Sequence, residues 1–330
     1  MGMEFSLGIV LALVAAAFVG VKVAGMTYFF GVVVPYIAIF TFLGGFIYRI
    51  LGWARSPVPF RITTTAGQQM SFPWIKQNKL DNPTTTLQTI GRMALEVLTF
   101  RSLFRNTKLE YREGPKVAYS LEIWLRLAAL AFHYSFLVIF VRHLRFFLEP
   151  VPGLVHALDR ADGFLQWGLP GIYITDLVFV AAVTYLFIRR VIIPQLKYIS
   201  LPADYFPLFV LLGMGITGIL MRYFIKVDLT KVKELAVGIV AFQPKVPEGI
   251  GVIFYIHLLL VCTLFAYFPF SKLMHLGGVF LSPTRNLPND NRMKRHVNPW
   301  DYPVKTHTYA EYEDHFREKM IEAGLPVDKE

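Results

Sequence analysis

Of the eight histidines in this 330-residue sequence, four, His133, His143, His257 and His275, stand inside or at the ends of long apolar segments. An ionisable side chain at membrane depth is costly, so each needs a partner or a task. Neutral imidazole is a common metal ligand, and a haem iron accepts it at both axial positions. Two pairs of such histidines satisfy two haem groups. The single cysteine, Cys262, lies in an apolar segment and leaves no CxxC pair, no iron–sulfur ligand set and no CxxCH attachment site. The chemistry this pattern points to is noncovalent haem b, two per chain, with His133, His143, His257 and His275 as metal ligands.

Spacing refines the reading. On an ideal helix, the ten residues from His133 to His143 give about 15 Å of rise, and the eighteen from His257 to His275 give about 27 Å on one face. If the two segments run antiparallel, His133 pairs with His275 at one level and His143 with His257 at the other. The two separations differ by about 12 Å, so straight helices cannot place both pairs level. A bend is required, and Pro269, which removes an intrahelical hydrogen bond, is the residue placed to supply it.

The elements that carry these residues are apolar and long. The composition, 55% hydrophobic and 17% charged, is too apolar for an ordinary soluble domain of this size. A helix needs about 20 apolar residues to cross a bilayer, and six spans can be drawn, at 5–23, 26–53, 120–147, 173–194, 204–225 and 250–275. The fold expected is an all-α membrane protein, a six-transmembrane-helix bundle. The first span lacks a basic leader and a small-residue cleavage site, so a retained helix is expected.

The formal charge of +10 follows the loops and a tail rather than an aromatic-interleaved stripe, which argues against nucleic acid as a partner. Lys and Arg are in excess in 54–119, in 188–203 and in the tail, which places these segments and both termini on the cytoplasmic side of a prokaryotic inner membrane. The organisation expected is two N-terminal helices over 1–53, a cytoplasmic loop over 54–119, a four-helix dihaem core over 120–275, and a cytoplasmic tail over 276–330 that docks a partner subunit. Within the loop, Leu87 to Phe104 reads as an amphipathic stretch for the membrane surface or as a packed connecting helix. In the tail, Tyr309 to Ala323 reads as a helix of mixed charge. His156, His296, His307 and His315 fall in loops or the tail and are expected to face solvent.

The ten- and eighteen-residue histidine spacings, with Ala203-Asp204-Tyr205 ahead of a run ending Gly213-Met214-Gly215-Ile216-Thr217-Gly218, resemble the dihaem cytochrome b gamma subunit of respiratory nitrate reductase over roughly 120–280. The additional first helix, the long 54–119 loop and the tail motif Arg295-His296-Val297-Asn298-Pro299-Trp300 look more like the membrane M subunits of the dissimilatory sulfite reductase-linked electron-transfer complexes of sulfate reducers. That resemblance implies an oxidoreductase subunit in a respiratory chain, with menaquinone as carrier. It also implies a cytoplasmic iron–sulfur partner related to the catalytic subunit of heterodisulfide reductase, a multihaem cytochrome c, and further iron–sulfur and membrane subunits.

A quinone site needs an apolar slot with a few polar groups at the ring oxygens. Arg142 and Arg145, beside His143, are placed to meet a quinone oxygen or a haem propionate, or to snorkel to the interface. The following segment adds Glu149, Asp159, Arg160 and Asp162. Arg160 stands at about the distance from His143 at which the nitrate reductase family has a basic residue near its quinol site. Gly213, Gly215 and Gly218 give either close helix approach or room for a porphyrin face. The competing readings are a nitrate reductase or heterodisulfide reductase membrane subunit, a transporter relaying protons through buried histidines, and a non-redox membrane anchor.

Overall fold

The computed structural model describes residues 2–56, 58, 76–105, 107–114, 116–164, 166–290 and 305–329. The Arg295–Trp300 motif and His296 lie outside the described residues. Helix α1 covers Gly2–Lys22, and α2 covers Val34–Ala54 after a π-helical turn at Phe29–Val33. Helix α3 is Thr86–Thr99, and the strands β1, Thr107–Arg112, and β2, Lys116–Leu121, form an antiparallel hairpin. Then come α4, Ile123–His143, α5, Gly153–Phe164, a two-residue hairpin of β3, Gln166–Trp167, with β4, Ile172–Tyr173, and α6, Ile174–Ile192. The remaining helices are α7, Pro194–Ile199, α8, Pro202–Ile219, α9, Leu229–Val240, α10, Val252–Tyr267, the single turn α11, His275–Gly278, and α12, Tyr309–Glu322.

Among the described residues, five helices are long and apolar enough to cross a membrane: Gly2–Lys22, Phe29–Ala54, Ile123–Phe146, Pro202–Phe224 and Val252–Phe270. Six were expected from the sequence. The expected fourth span does form a 19-residue helix, α6, but Asp176 near its start and Arg189 and Arg190 near its end shorten its uncharged run. It is nevertheless an inner member of the bundle, packed on both α4 and α8.

Helix α8 contacts α1, α6 and α10, and α10 contacts α1, α2 and α8. Val10, Phe179, Val183, Val210, Leu211, Leu260 and Leu264 form one buried cluster between these helices. Lipid tails are as apolar as these side chains, so tight packing and polar links hold such a bundle more than apolar burial does. Gly213 and Gly215 serve that packing: a Cβ at Gly213 would lie 2.9 Å from a Leu260 methyl, and one at Gly215 would lie 2.8 Å from Val180. The histidine-bearing helices α4 and α10 are not among the close-packed pairs.

The amphipathic stretch expected over Leu87 to Phe104 is the helix α3, opened by Thr85, whose hydroxyl accepts from the Gln88 amide, and closed by Phe100 in the left-handed region at φ 50°. Its Leu87, Ile90, Val97 and Leu98 are exposed. In the tail, α12 begins with a Thr308–Glu311 capping box, which satisfies two orphan backbone donors. Buried Glu313 accepts from the amides of Asp328 and Lys329 and from Arg317, and the Asp328 amide leads in holding its carboxyl below the ordinary glutamate range.

Candidate functional site

The structure brings the four membrane histidines together in two pairs. The His133 and His275 ring centroids lie 6.2 Å apart with an interplanar angle of 81°, and those of His143 and His257 lie 6.4 Å apart at 12°. Each pair joins a half-buried ring, His133 or His257, with an exposed one. His156 on α5 and His307 and His315 in the tail are exposed.

Hydrogen bonds set the tautomer of every ring. His133 Nδ1 meets the Ala129 carbonyl at 2.6 Å, His143 Nδ1 the Ile139 carbonyl at 2.7 Å, and His275 Nδ1 the Lys272 carbonyl at 3.0 Å. A carbonyl only accepts, so each Nδ1 carries its proton and each Nε2 keeps a lone pair. His257 Nδ1 instead meets the Thr217 hydroxyl at 2.9 Å. That hydroxyl lies 2.6 Å from the Gly213 carbonyl, which takes its only proton, so it accepts from His257 in turn.

These residues fit axial ligation of haem. Two metal–nitrogen bonds of about 2 Å, plus about 1 Å from each Nε2 to its ring centre, set facing centroids about 6 Å apart. Both pairs match that spacing, and α4 and α10 are not among the close-packed helix pairs. Among the described residues, no group of three or more His, Cys, Asp or Glu side chains is placed to hold a metal ion, so a multidentate protein-only site has no candidate there.

The depth mismatch is relieved near Pro269, by a full break. Helix α10 ends at Tyr267, a 3-10 turn covers Phe268–Phe270, and Ser271 is extended at φ −122°, ψ 176°. A second 3-10 turn, Lys272–Met274, leads into α11. His275 therefore does not ride on the sixth span over 250–275, as the sequence suggested, but on a separate turn after it. The proline ends the regular ladder, and the Ser271 hydroxyl caps the new turn by accepting from the Leu273 amide at 3.2 Å. Lys272 then pairs with Asp204 of α8 at 2.7 Å. Close packing on α2 finishes the placement: a Cβ at Gly277 would lie 2.7 Å from Ile50, and one at Gly45 2.7 Å from Pro269.

A polar network adjoins the other pair. The segment after His143 is not all loop, since Asp159, Arg160 and Asp162 ride on α5. Arg142 is buried, pairs with Asp162, reaches Thr175 Oγ1 at 3.2 Å, and lies 3.6 Å from both Asp159 and Asp176. Its guanidinium and that of Arg222 both face the Tyr173 ring, at 4.5 and 4.2 Å. Arg145 pairs with Asp159 at 2.6 Å, and Tyr223 donates to Asp176 at 2.6 Å. Arg142 is thus engaged by protein carboxylates, while Arg160 is exposed on α5. Residue pattern alone gave Thr217, Asp176 and Tyr223 no role of their own; the available signal was that each is a polar side chain within an apolar segment and so needs a partner.

Residues 93–291 match the family model described as nitrate reductase gamma subunit, a stretch that includes all four paired histidines. The chain is 49% identical over 279 residues to an Archaeoglobus fulgidus protein named Hdr-like menaquinol oxidoreductase cytochrome b-like subunit, covering 82% of this chain and 83% of that one. It is 45% identical over 274 residues to the Archaeoglobus profundus protein of the same name, covering 81% of each. Two histidine pairs joining distant segments, a match across more than half the chain and relatives aligned over about four fifths of their length lead to one conclusion: the chain belongs to the nitrate reductase gamma subunit family.

Proposed function

We propose that this chain is the dihaem b membrane subunit of a respiratory oxidoreductase, carrying electrons between menaquinol and a cytoplasmic iron–sulfur subunit. The observation that carries the reading is the pair of facing imidazoles at two levels of α4, each with Nδ1 hydrogen-bonded and Nε2 free to ligate. Haem b held by two imidazoles supplies reversible one-electron transfer without an open position for oxygen. His133 with His275 would hold one haem and His143 with His257 the other, about 15 Å apart along α4. Menaquinol as the reductant is supported by the names of the two relatives.

The protein's own residues divide the remaining work. Arg142, locked to Asp162, fixes the end of α4 beside His143. Exposed Arg160 on α5 would meet a quinone oxygen or a propionate at that end. The finer assignment, to a complex linked to dissimilatory sulfite reduction with a partner related to the heterodisulfide reductase catalytic subunit and a multihaem cytochrome c, is supported by the resemblance of the 54–119 loop and of the tail. Both termini would lie in the cytoplasm, by the Lys and Arg bias. A pyridine haemochrome assay on the purified complex is expected to give two haem b per chain, reduced by a menaquinol analogue. A fully assembled complex without haem would leave the proton-relay or anchor reading in its place.

A further inference from the structure

Three of the four paired histidines hold Nδ1 against a backbone carbonyl three or four residues earlier in the chain, an interaction that any sequence forming those turns would provide. His257 alone among them is held by a side chain from another helix, the Thr217 hydroxyl of α8, at 2.9 Å. We propose that Thr217 is a positioning residue that fixes the tautomer and plane of His257 and sets the basicity of its Nε2, and through it the potential of one of the two haems. The proposal rests on the dihaem reading.

The geometry gives Thr217 little freedom. Its Oγ1 is pinned between the carbonyls of Gly213 at 2.6 Å and Met214 at 3.2 Å, four and three residues back on α8. With its proton committed to that turn, the oxygen presents a lone pair to His257 Nδ1–H. The next residue is Gly218, where an added Cβ would lie 3.5 Å from His257 Cε1, so α8 approaches the imidazole edge directly. A hydroxyl oxygen is a weaker acceptor than a backbone carbonyl, and an outer hydrogen bond of this kind tunes ligand basicity. A histidine with a weaker acceptor donates less charge to iron, favouring the ferrous form. At the His143–His257 level, His257 thus meets the Thr217 hydroxyl with the Met214 carbonyl beside it, whereas His133, His275 and His143 each meet a carbonyl of their own segment.

The test uses the intact complex, with Thr217→Val, which keeps the side-chain shape and removes the acceptor, and Thr217→Ser, which restores it. Haem content is measured first, then optical redox titration resolves the two haems, with His275→Ala identifying the His143–His257 signal. Thr217→Val is expected to retain two haems and raise the midpoint potential of the His143–His257 haem while the other stays in place; Thr217→Ser is expected to match wild type. Loss of that one haem from Thr217→Val, rescued in Thr217→Ser, also supports the assignment. Two bound haems with unchanged potentials in Thr217→Val, a shift confined to the His133–His275 haem, or equal disturbance by both variants would overturn it. A wild-type complex without haem would instead overturn the dihaem reading and this proposal with it.

Discussion

At the end of α4, His143 faces a ring carried near the start of the regular helix α10; ten residues earlier, His133 faces a ring carried on the single turn α11, reached through a helix break. The first pair is nearly coplanar in orientation, at 12°, and sits beside a network of three arginines and three aspartates. The second is nearly perpendicular, at 81°, and has aromatic neighbours, with Phe100 and Phe132 at 4.7 and 5.0 Å from His133. Similar spacing is thus reached by two constructions. The first is fixed by continuous helices and charge pairing, the second by a proline stop, a capped turn and contact with α2. The lesson is that two histidine pairs within one chain can share a ring spacing while their orientation and surroundings differ.

The largest expected effect follows from removing a ligand. His257→Ala should cost one of two haems per chain and spare the other, and His275→Ala should do the reverse. Pyridine haemochrome content and low-spin ferric EPR spectra check this, because perpendicular imidazole planes give a more anisotropic signal than parallel ones. The more anisotropic signal should therefore survive His257→Ala and vanish in His275→Ala. Loss of the same signal from both variants would break the comparison at its root.

A smaller effect, in stability, is expected from Asp162→Asn. Removing one partner of a buried ion pair costs about 3–5 kcal/mol, and Arg142 has other carboxylates nearby, so a loss of about 3 kcal/mol is expected. Thermal unfolding followed by haem absorbance should show an earlier transition at the His143–His257 level. Simultaneous loss of both haems would show that the network serves the whole bundle instead.

The smallest effect is expected from Gly45→Ala, which places a methyl against the rigid Pro269 ring. Overpacking of this kind costs about 1–3 kcal/mol, concentrated where the backbone must shift. The His133–His275 haem should change in potential or occupancy and the other should not, as read by redox titration.

Much of this was legible from residue types and spacing. Long apolar runs define the spans, because a bilayer accepts little else, and histidines inside them demand a partner. The ten-residue spacing on one helix follows from helical rise alone, and so does the need for a bend before His275. The fourth span was drawn on apolar length, and its helix α6 does form, with Asp176, Arg189 and Arg190 shortening its uncharged run. Arg142 shows the opposite limit. Its neighbour His143 suggested a cofactor contact, but its charge is met by Asp162 and Asp176 from other elements, a choice that no local pattern specifies.

The sequence by itself determined that this chain is an apolar, mostly helical protein with four histidines at membrane depth and no cysteine chemistry beside them, because these properties reside in composition and local period. Only the tertiary structure decided that the helix ends near Pro269, that His275 is carried by a turn anchored through Lys272 to Asp204, and that Thr217 faces His257. Each of these depends on how distant helices approach one another. That approach is set by small residues, by buried charges and by unsatisfied polar groups finding partners across tens to hundreds of residues, information that local spacing does not contain.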